Sequence, residues 1–304
     1  MVVHYVLTET KVYEAPDGGG QISVFINPSE EEKRHLVDDW KIDEHTLASA
    51  LDPDELGRLE FEPEHVAMIF KCPRSYSAED RFLFKVSSMG FFLYKDRLII
   101  LMSENTPIFE GKPFTRNLSL THVMLKIIYR NISHFIAHLK IINTISDELE
   151  NKVNTAMENR YLLSLFVLEK SLVYYLNAIN SNSLVIEKIN NNEAKIGISG
   201  ELSGFLDDLI IENTQCYKQA EIYSNILTGL MDARGSIVGN NLNVLMKTLN
   251  IITICIMVPT LVVSIFSMNV AIPFSSNPQA FWMVMGMAAI SMLSFLLFWK
   301  FKKW

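Results

Sequence analysis

The chain predicts an α/β cytosolic domain followed by long stalk helices and a C-terminal two-helix transmembrane hairpin, and three observations carry that architecture. The last 56 residues hold two apolar runs, 249–266 and 281–299, of 18 and 19 residues without a charge. Each is close to the roughly 20 residues that cross a ~30 Å hydrocarbon core. Charge is divided as sharply as hydropathy. Residues 235–304 hold four of the 27 Lys and Arg and no Asp or Glu, so 23 positive charges face 34 negative ones in 1–234, a balance of −11. Finally, the texture changes near residue 115, from short apolar runs broken by turn signals to long stretches free of Gly and Pro.

Residues 1–115 read as the α/β domain. The runs 22–26, 66–70, 82–86, 91–94 and 98–102 are strand-like, with turn signals at Asp17-Gly18-Gly19-Gly20, Cys72-Pro73 and Lys95-Asp96. The glycine run lacks a following Gly-Lys-Ser/Thr and is a loop, not a phosphate cradle. Ser29 with Glu32 has the spacing of a capping box opening a helix through Trp40, and 43–51 reads as a second helix. Residues 116–200 read as antiparallel long helices. The stretch 118–180 has no Gly or Pro, and the reversal is expected within 180–200, through Ser181-Asn182-Ser183, then Asn190-Asn191-Asn192, then Gly197 and Gly200. From Glu201 a helical pattern runs through a stalk, 201–248, into the first span, 249–268. A loop at 269–280 and a second span at 281–300 follow, then a tail at 301–304. Gly204, Gly229, Gly235 and Gly239 weaken the stalk by up to ~1 kcal/mol each relative to Ala, and read as sites of close packing between copies.

The connecting loop has no Lys or Arg, whereas Lys247 precedes the first span and Lys300, Lys302 and Lys303 follow the second. Both termini are therefore expected in the cytoplasm, with Trp282, Trp299 and Trp304 near the water interfaces. The acidic balance argues against nucleic acid as a partner and is compatible with binding cations; acidity for solubility alone explains it too. Cys72, Cys216 and Cys255 are too scattered for a disulfide framework or a zinc site, which fits a reducing compartment.

One pattern in the first span points to function. Asn243, Met246, Asn250, Thr253, Met257, Thr260, Ser264 and Ser267 recur at steps of three and four, which places them on one helix face. A helix surrounded by lipid has no use for polar groups on such a face; they usually meet a bundle interior or a water-filled path. The expectation is a membrane channel or transporter lined by copies of this helix. Pro259 removes a backbone hydrogen bond to Cys255 and is expected to bend it.

Other candidate chemistry is sparse. His134 and His138, four apart, have metal-ligand spacing, but no Cys, Asp or Glu completes a set and a packing pair is the plainer reading. No nucleophile, base and oxyanion group assemble, so an enzyme is not expected. Asp207, Asp208 and Glu212 lie within about one stalk turn, with Asp232 further on; around a symmetry axis each becomes a carboxylate ring able to attract Mg2+. Alone they read as a solvated helix face.

Several motifs together resemble a known family. Asn243-x-x-Met246-Lys247-x-Leu249, Met257, Thr260 and Met268-Asn269 look like the pore helix of the CorA-type magnesium transporters, the two-transmembrane GxN family. Tyr223-Ser224-Asn225-Ile226-Leu227-x-Gly229-x-Met231-Asp232 resembles its stalk, Leu51-Asp52-Pro53-Asp54-Glu55-Leu56-x-Arg58-Leu59-Glu60 its soluble domain, and Lys300, Lys302, Lys303 its basic ring. The resemblance implies a funnel-shaped homopentamer in the cell inner membrane, lipid-embedded, with 269–280 in the periplasm. It implies a selectivity filter at Ser267, Met268 and Asn269, and a pore lined by Asn243, Met246, Leu249, Thr253, Met257, Thr260 and Ser264. It also implies a regulatory Mg2+ held between subunits by Asp208 and, from the α/β domain, Asp80; loss of this ion would let the carboxylates repel and destabilise the closed state. The implied cargo is Mg2+, with Co2+ or Ni2+ as further ions.

Two departures stand out. Ser267 replaces the Gly of the family's Gly-Met-Asn signature, and Val270-Ala271-Ile272-Pro273-Phe274 has no acid where the family commonly has Met-Pro-Glu. Two alternatives therefore stay open: a Zn2+ or other transition-metal transporter on the same scaffold, against which the lack of any ionisable group inside either span counts, and a non-conducting ion sensor.

Overall fold

The computed structural model describes residues 1–8, 12–15, 19–77, 80–109, 119–156, 159–270 and 277–302, and nothing of the side chains at 154–156, 159 and 302. It divides into two compact units, Met1–Met231 and Asp232–Trp304.

The first unit is built on seven strands: β1 (Val2–Leu7), β2 (Val12–Glu14), β3 (Ile22–Ile26), β4 (Arg58–Phe61), β5 (Val66–Pro73), β6 (Val86–Leu93) and β7 (Leu98–Met102). Their order is β2-β1-β3-β7-β6-β5-β4, antiparallel throughout except for β3 beside β7. On one face, Ala67, Ile69, Phe92, Ile99 and Leu101 pack with Leu36 of α1 (Glu30–Asp38) and with Leu47 and Ala50 of α2 (Glu44–Leu51). On the other, Met68, Phe70, Phe91, Leu98 and Ile100 pack against long helices. Strands covered on both faces have no polar side to show, which is why β5 to β7 read as continuous apolar runs instead of alternating ones.

Both helices of the first face are capped as their sequences indicate. Ser29 Oγ accepts from Glu32 N at 3.3 Å while Glu32 Oε2 accepts from Ser29 N at 2.8 Å, the reciprocal pair of a capping box. Asp43 accepts from Thr46 N at 2.9 Å at the start of α2, and that bond holds its carboxyl below the usual range. Gly90 makes the approach of α2 possible: a Cβ there would stand 2.7 Å from Ala50 Cβ.

Opposite lie α3 (Leu120–Ala156) and α4 (Asn159–Asn190), then the short α5 (Glu193–Ile196) and the start of α6 (Glu201–Phe266). Phe135 and Tyr175 meet edge-on at 4.9 Å and His138 Nδ1 lies 2.6 Å from Tyr175 Oη; since α3 ends at Ala156 and α4 starts at Asn159, a contact at similar distances on either side of that link folds α4 back along α3. Asn213 donates to Ser183 at 2.8 Å and Thr228 to Glu169 at 2.9 Å, so α6 runs back along α4.

Three expectations are corrected. The reversal lies at 191–200, where Gly197 and Gly200 adopt φ of 80° and 60°, while Ser181-Asn182-Ser183 belongs to α4. Those residues are polar because the sheet needs them: β5 extends past the end of β4, and there Asn182 Oδ1 accepts from Lys71 N at 2.8 Å while its Nδ2 donates to Lys71 O at 2.9 Å. Ser181 Oγ likewise accepts from Gly57 N at 2.6 Å. Residues 82–86 are not a strand, since Arg81 and Phe82 sit at φ 46° and 70° and Phe84 N donates to Ser171 Oγ at 3.0 Å; β6 begins at Val86. Cys72-Pro73 is no turn but the end of β5. Of the expected glycine loop, 17–18 lie outside the described residues.

Two consequences are measurable. Asn182→Leu strips two buried backbone groups of their partner, which at ~1–3 kcal/mol each lowers the thermal midpoint of the detergent-solubilised chain by several degrees; an unchanged midpoint contradicts the tie. His138 is 6% exposed, and burial, followed by the charge of His134, pushes its imidazole down to about 4. The unfolded chain, titrating near 6.5, then binds the proton first. Stability contributed by neutral His138 is present above pH ~6.5 and lost as pH falls towards 4, by on the order of 3 kcal/mol. Acid unfolding followed by circular dichroism checks this, and His138→Phe should flatten that part of the profile.

Candidate ion-conduction site

Among the described residues three helices are long and apolar enough to cross a membrane, within Arg160–Asn190, Glu201–Phe266 and Ala280–Phe301. Burial separates them. The first is α4, whose Leu168, Leu172, Tyr175 and Ile179 are 0–1% exposed in the core of the α/β unit. The most apolar stretches of α6 and of α7 (Ala280–Lys302) are 0% and 6% buried, so their apolar faces await another medium.

Within the second unit each helix has one covered stripe. On α6 the half-buried positions are Ile251, Cys255, Val258, Pro259, Val262 and Phe266; on α7 they are Ala280, Val284, Ser291 and Phe295, with Ala288 buried. These are the two helices of the unit, so the half-burial of each stripe is assigned to cover by the other helix. Small side chains at Ala280, Ala288 and Ser291 allow close approach. The sequence shows that spacing, but small residues in a uniformly apolar run do not by themselves mark which face is covered.

Counting about 100° per residue, Asn243, Met246, Asn250, Thr253, Met257, Thr260, Ser264 and Ser267 centre roughly opposite the stripe that α7 covers. Each of these eight, and Leu249, is exposed. The expected lining residues thus share one open face, and α7 stands behind it. Helix α6 continues through Pro259 to Phe266.

The two threonine hydroxyls on this face are already committed as donors. Thr253 Oγ1 donates to Leu249 O at 2.9 Å and Thr260 Oγ1 to Ile256 O at 2.6 Å. What such a hydroxyl offers outward is lone pairs, an acceptor surface for the protons of water held by a cation.

After Phe266 the helix closes with Ser267 N donating to Ser264 O at 3.2 Å, so Ser267, Met268 and Asn269 lie in the turn just past the helix and are exposed. Left-handed φ among described non-glycine residues occurs at Asn27, Lys41, Arg81 and Phe82, and therefore not at Ser267. Backbone conformation does not call for Gly at this position. Residues 271–276 of the connecting loop lie outside the described residues, as do Lys303 and Trp304 of the tail; Lys300 is exposed near the end of α7.

The two expected regulatory carboxylates differ. Asp208 is exposed near the start of α6 and enters no ion pair or hydrogen bond among the described residues. Asp80 sits in the turn before β6. Its Oδ2 accepts from Ser77 N at 3.0 Å and Ser77 Oγ at 2.9 Å, and its Oδ1 lies 3.1 Å from Lys85 Nζ. The Ser77 backbone bond, with Lys85 next, brings its carboxyl down to about 2. His134 and His138 are a packing pair between Phe84 and Tyr175. Among the described residues no group of three or more His, Cys, Asp or Glu is placed to hold a metal within one chain.

Comparison with known proteins agrees with this arrangement. The chain is 25% identical over 291 residues, 91% of its length and 89% of the relative's, to the cobalt/magnesium transport protein CorA of Methanocaldococcus jannaschii. The complete structure of the CorA magnesium transporter from that organism superposes with a TM-score of 0.84 at 20% identity, covering 99% of this chain and 97% of the other. The full-length CmaX protein gives 0.70 at 14% identity, with 99% and 97% covered. The family model described as CorA-like Mg2+ transporter protein matches residues 22–303. With that span and an uncovered polar face on its first membrane helix, the chain belongs to the CorA-like Mg2+ transporter family.

Proposed function

We propose that this chain forms a pore for divalent cations, with Mg2+ as the principal cargo and Co2+ or Ni2+ as further ones. It does so as a homopentamer in the inner membrane, with both termini in the cytoplasm, α6 innermost and α7 outside it. The observation that carries the reading is the position of the polar stripe, exposed and opposite the face that α7 covers. Mg2+ dehydrates reluctantly and keeps much of its water. A ring of neutral acceptors, the Thr253 and Thr260 hydroxyls with the Asn243 and Asn269 amide oxygens, accepts hydrogen bonds from that water without stripping it. Met246, Leu249 and Met257 between them form apolar constrictions that gate by dewetting. The mouth is formed by Ser267, Met268 and Asn269, and Lys300, Lys302 and Lys303 form a basic ring at the cytosolic face.

Regulation by cytosolic Mg2+ is part of the proposal. Asp208 fits the role of an inter-subunit ligand, since its carboxylate is exposed and unpaired. Asp80 does not fit while Lys85 holds it, because an ammonium at 3.1 Å repels a dication. Ligation is therefore assigned to Asp208, and Asp80 is left as a neutralised pair.

Uptake of Mg2+, Co2+, Ni2+ and Zn2+ into proteoliposomes, with and without a pH gradient, tests the reading. Asn269→Ala should lower Mg2+ uptake tenfold or more, whereas Leu293→Ala, on the exposed face of α7, should leave it within twofold. Equal losses from both would remove the pore assignment. Flux of Zn2+ alone, driven by protons, would favour the transition-metal reading; Mg2+ binding without flux of any ion would favour a sensor. Ser267→Gly should change the conductance ratio of Mg2+ to Co2+, and an unchanged ratio would deprive Ser267 of a role in selection. For regulation, Mg2+ should protect the wild-type chain against limited proteolysis, and Asp208→Ala should abolish that protection.

A further inference from the structure

The α/β unit contains a cleft of about 290 Å3 where the loop after α2, the β5–β6 pair and α4 meet. Its walls carry three basic side chains, Lys71, Arg74 and Lys85, against one acid, Asp54, with Tyr174 and Asn177 contributed by α4. Two of the cations have carboxylate partners, Arg74 with Glu104 and Lys85 with Asp80. Lys71 has none. It is 3% exposed, and its Nζ donates to the Pro53 carbonyl at 2.7 Å and to Ser88 Oγ at 2.9 Å. An ammonium has three donors; among the described residues the third meets no acceptor, and no carboxylate comes within the 4.0 Å of an ion pair. Asp52, Asp54 and Glu55 attract it from farther away, yet burial outweighs them and lowers its affinity for its proton.

Burying a charge without a counter-charge is costly, and native structures seldom keep one that nothing compensates. A purely architectural account covers part of the geometry: Lys71 anchors the Pro53 carbonyl directly, and Ser88 Oγ donates to the Asp52 carbonyl at 2.6 Å. Those bonds need a donor, not a charge. They also leave unexplained why two more cations border the same cleft.

We propose that this cleft binds a small soluble anion carrying phosphate or several carboxylates, with Lys71 as the buried counter-charge and Arg74 and Lys85 at the rim. Tyr174 and Asn177 add neutral donors from α4. Lys85 is shared with Asp80, so an anion that takes up its ammonium leaves Asp80 without its cation. The anion thereby changes the charge of the Asp80 turn, and the site does not depend on the regulatory reading above.

Isothermal titration of the full-length chain in dodecyl maltoside, without Mg2+ and at constant ionic strength, with inorganic pyrophosphate and separately with citrate, tests the site. Saturable binding of one anion per chain is expected, weakened tenfold or more by Lys71→Met and severalfold by Arg74→Gln or Lys85→Gln. Lys33→Gln, on α1 and outside this cleft, should leave it unchanged. Should Lys71→Met fail to fold, the two rim variants decide. The proposal is overturned if neither anion binds saturably, if the cleft variants bind as wild type, or if Lys33→Gln weakens binding as much as they do. None of these readouts involves flux, so a chain that conducts without binding anions, or binds them without conducting, separates the two readings.

Discussion

A helix in hydrocarbon must account for every polar group it carries, and α6 meets that requirement in two different ways. The hydroxyls of Thr253 and Thr260 are satisfied within the helix, by the carbonyls of Leu249 and Ile256, and are inexpensive at any depth. Asn250 is another matter. Its amide brings two donors and an acceptor, and among the described residues it makes no side-chain hydrogen bond. Helix α7 gives no relief, because it covers the face around Cys255, Val258 and Val262 on the other side. Water or further copies of the chain must supply the partners, and a water-filled path between copies supplies both. The polar stripe and the position of α7 thus leave this amide to be partnered from outside the chain, which the proposed oligomer would do.

The α/β unit depends on a different economy of polar groups. Its sheet is covered on both faces, so any backbone group not paired by a neighbouring strand is stranded in the core. Helix α4 solves this where β4 stops short, with Asn182 acting as a substitute strand for Lys71 and Ser181 capping the Gly57 amide. The same helix receives the turn before β6 through Ser171, whose hydroxyl accepts from Phe84 N. One long helix therefore fixes both the edge of the sheet and the turn holding Asp80 and Lys85, while its other side carries Asn213 of α6.

These contacts explain what the sequence disclosed and what it withheld. Run length located the membrane ends of α6 and α7 because two charge-free spans of uniform apolarity leave no other reading, and the capping box at Ser29 was visible since it depends on a neighbour three residues away. Ser181-Asn182-Ser183 looked like a turn because local propensity is what a sequence displays, whereas the Lys71 backbone that those side chains serve is 111 residues away. Residues 82–86 looked like a strand for the same reason. Their apolar side chains are needed in the core, but Arg81 and Phe82 take left-handed backbone that only the surrounding turn stabilises. At the candidate site the polar face was legible and the covered face was not, since partial burial of Cys255 or Ala288 is a property of two helices together.

The replacement of glycine by Ser267 gains a narrower meaning from the geometry. Glycine is required where φ is positive or where another backbone comes too close for a Cβ. The first requirement is absent, for the chain leaves α6 through an ordinary turn in which Ser267 N donates to Ser264 O. Only the second can bear on the pore, and it concerns the space between copies. Within one chain Ser267 is exposed, so its Cβ and hydroxyl project into whatever lies beside the turn. In a symmetric ring that volume is repeated once per subunit, and so is the added acceptor and donor. In the proposed pore, a serine here alters the dimensions and hydrogen-bonding capacity of the mouth while leaving the turn that follows α6 intact.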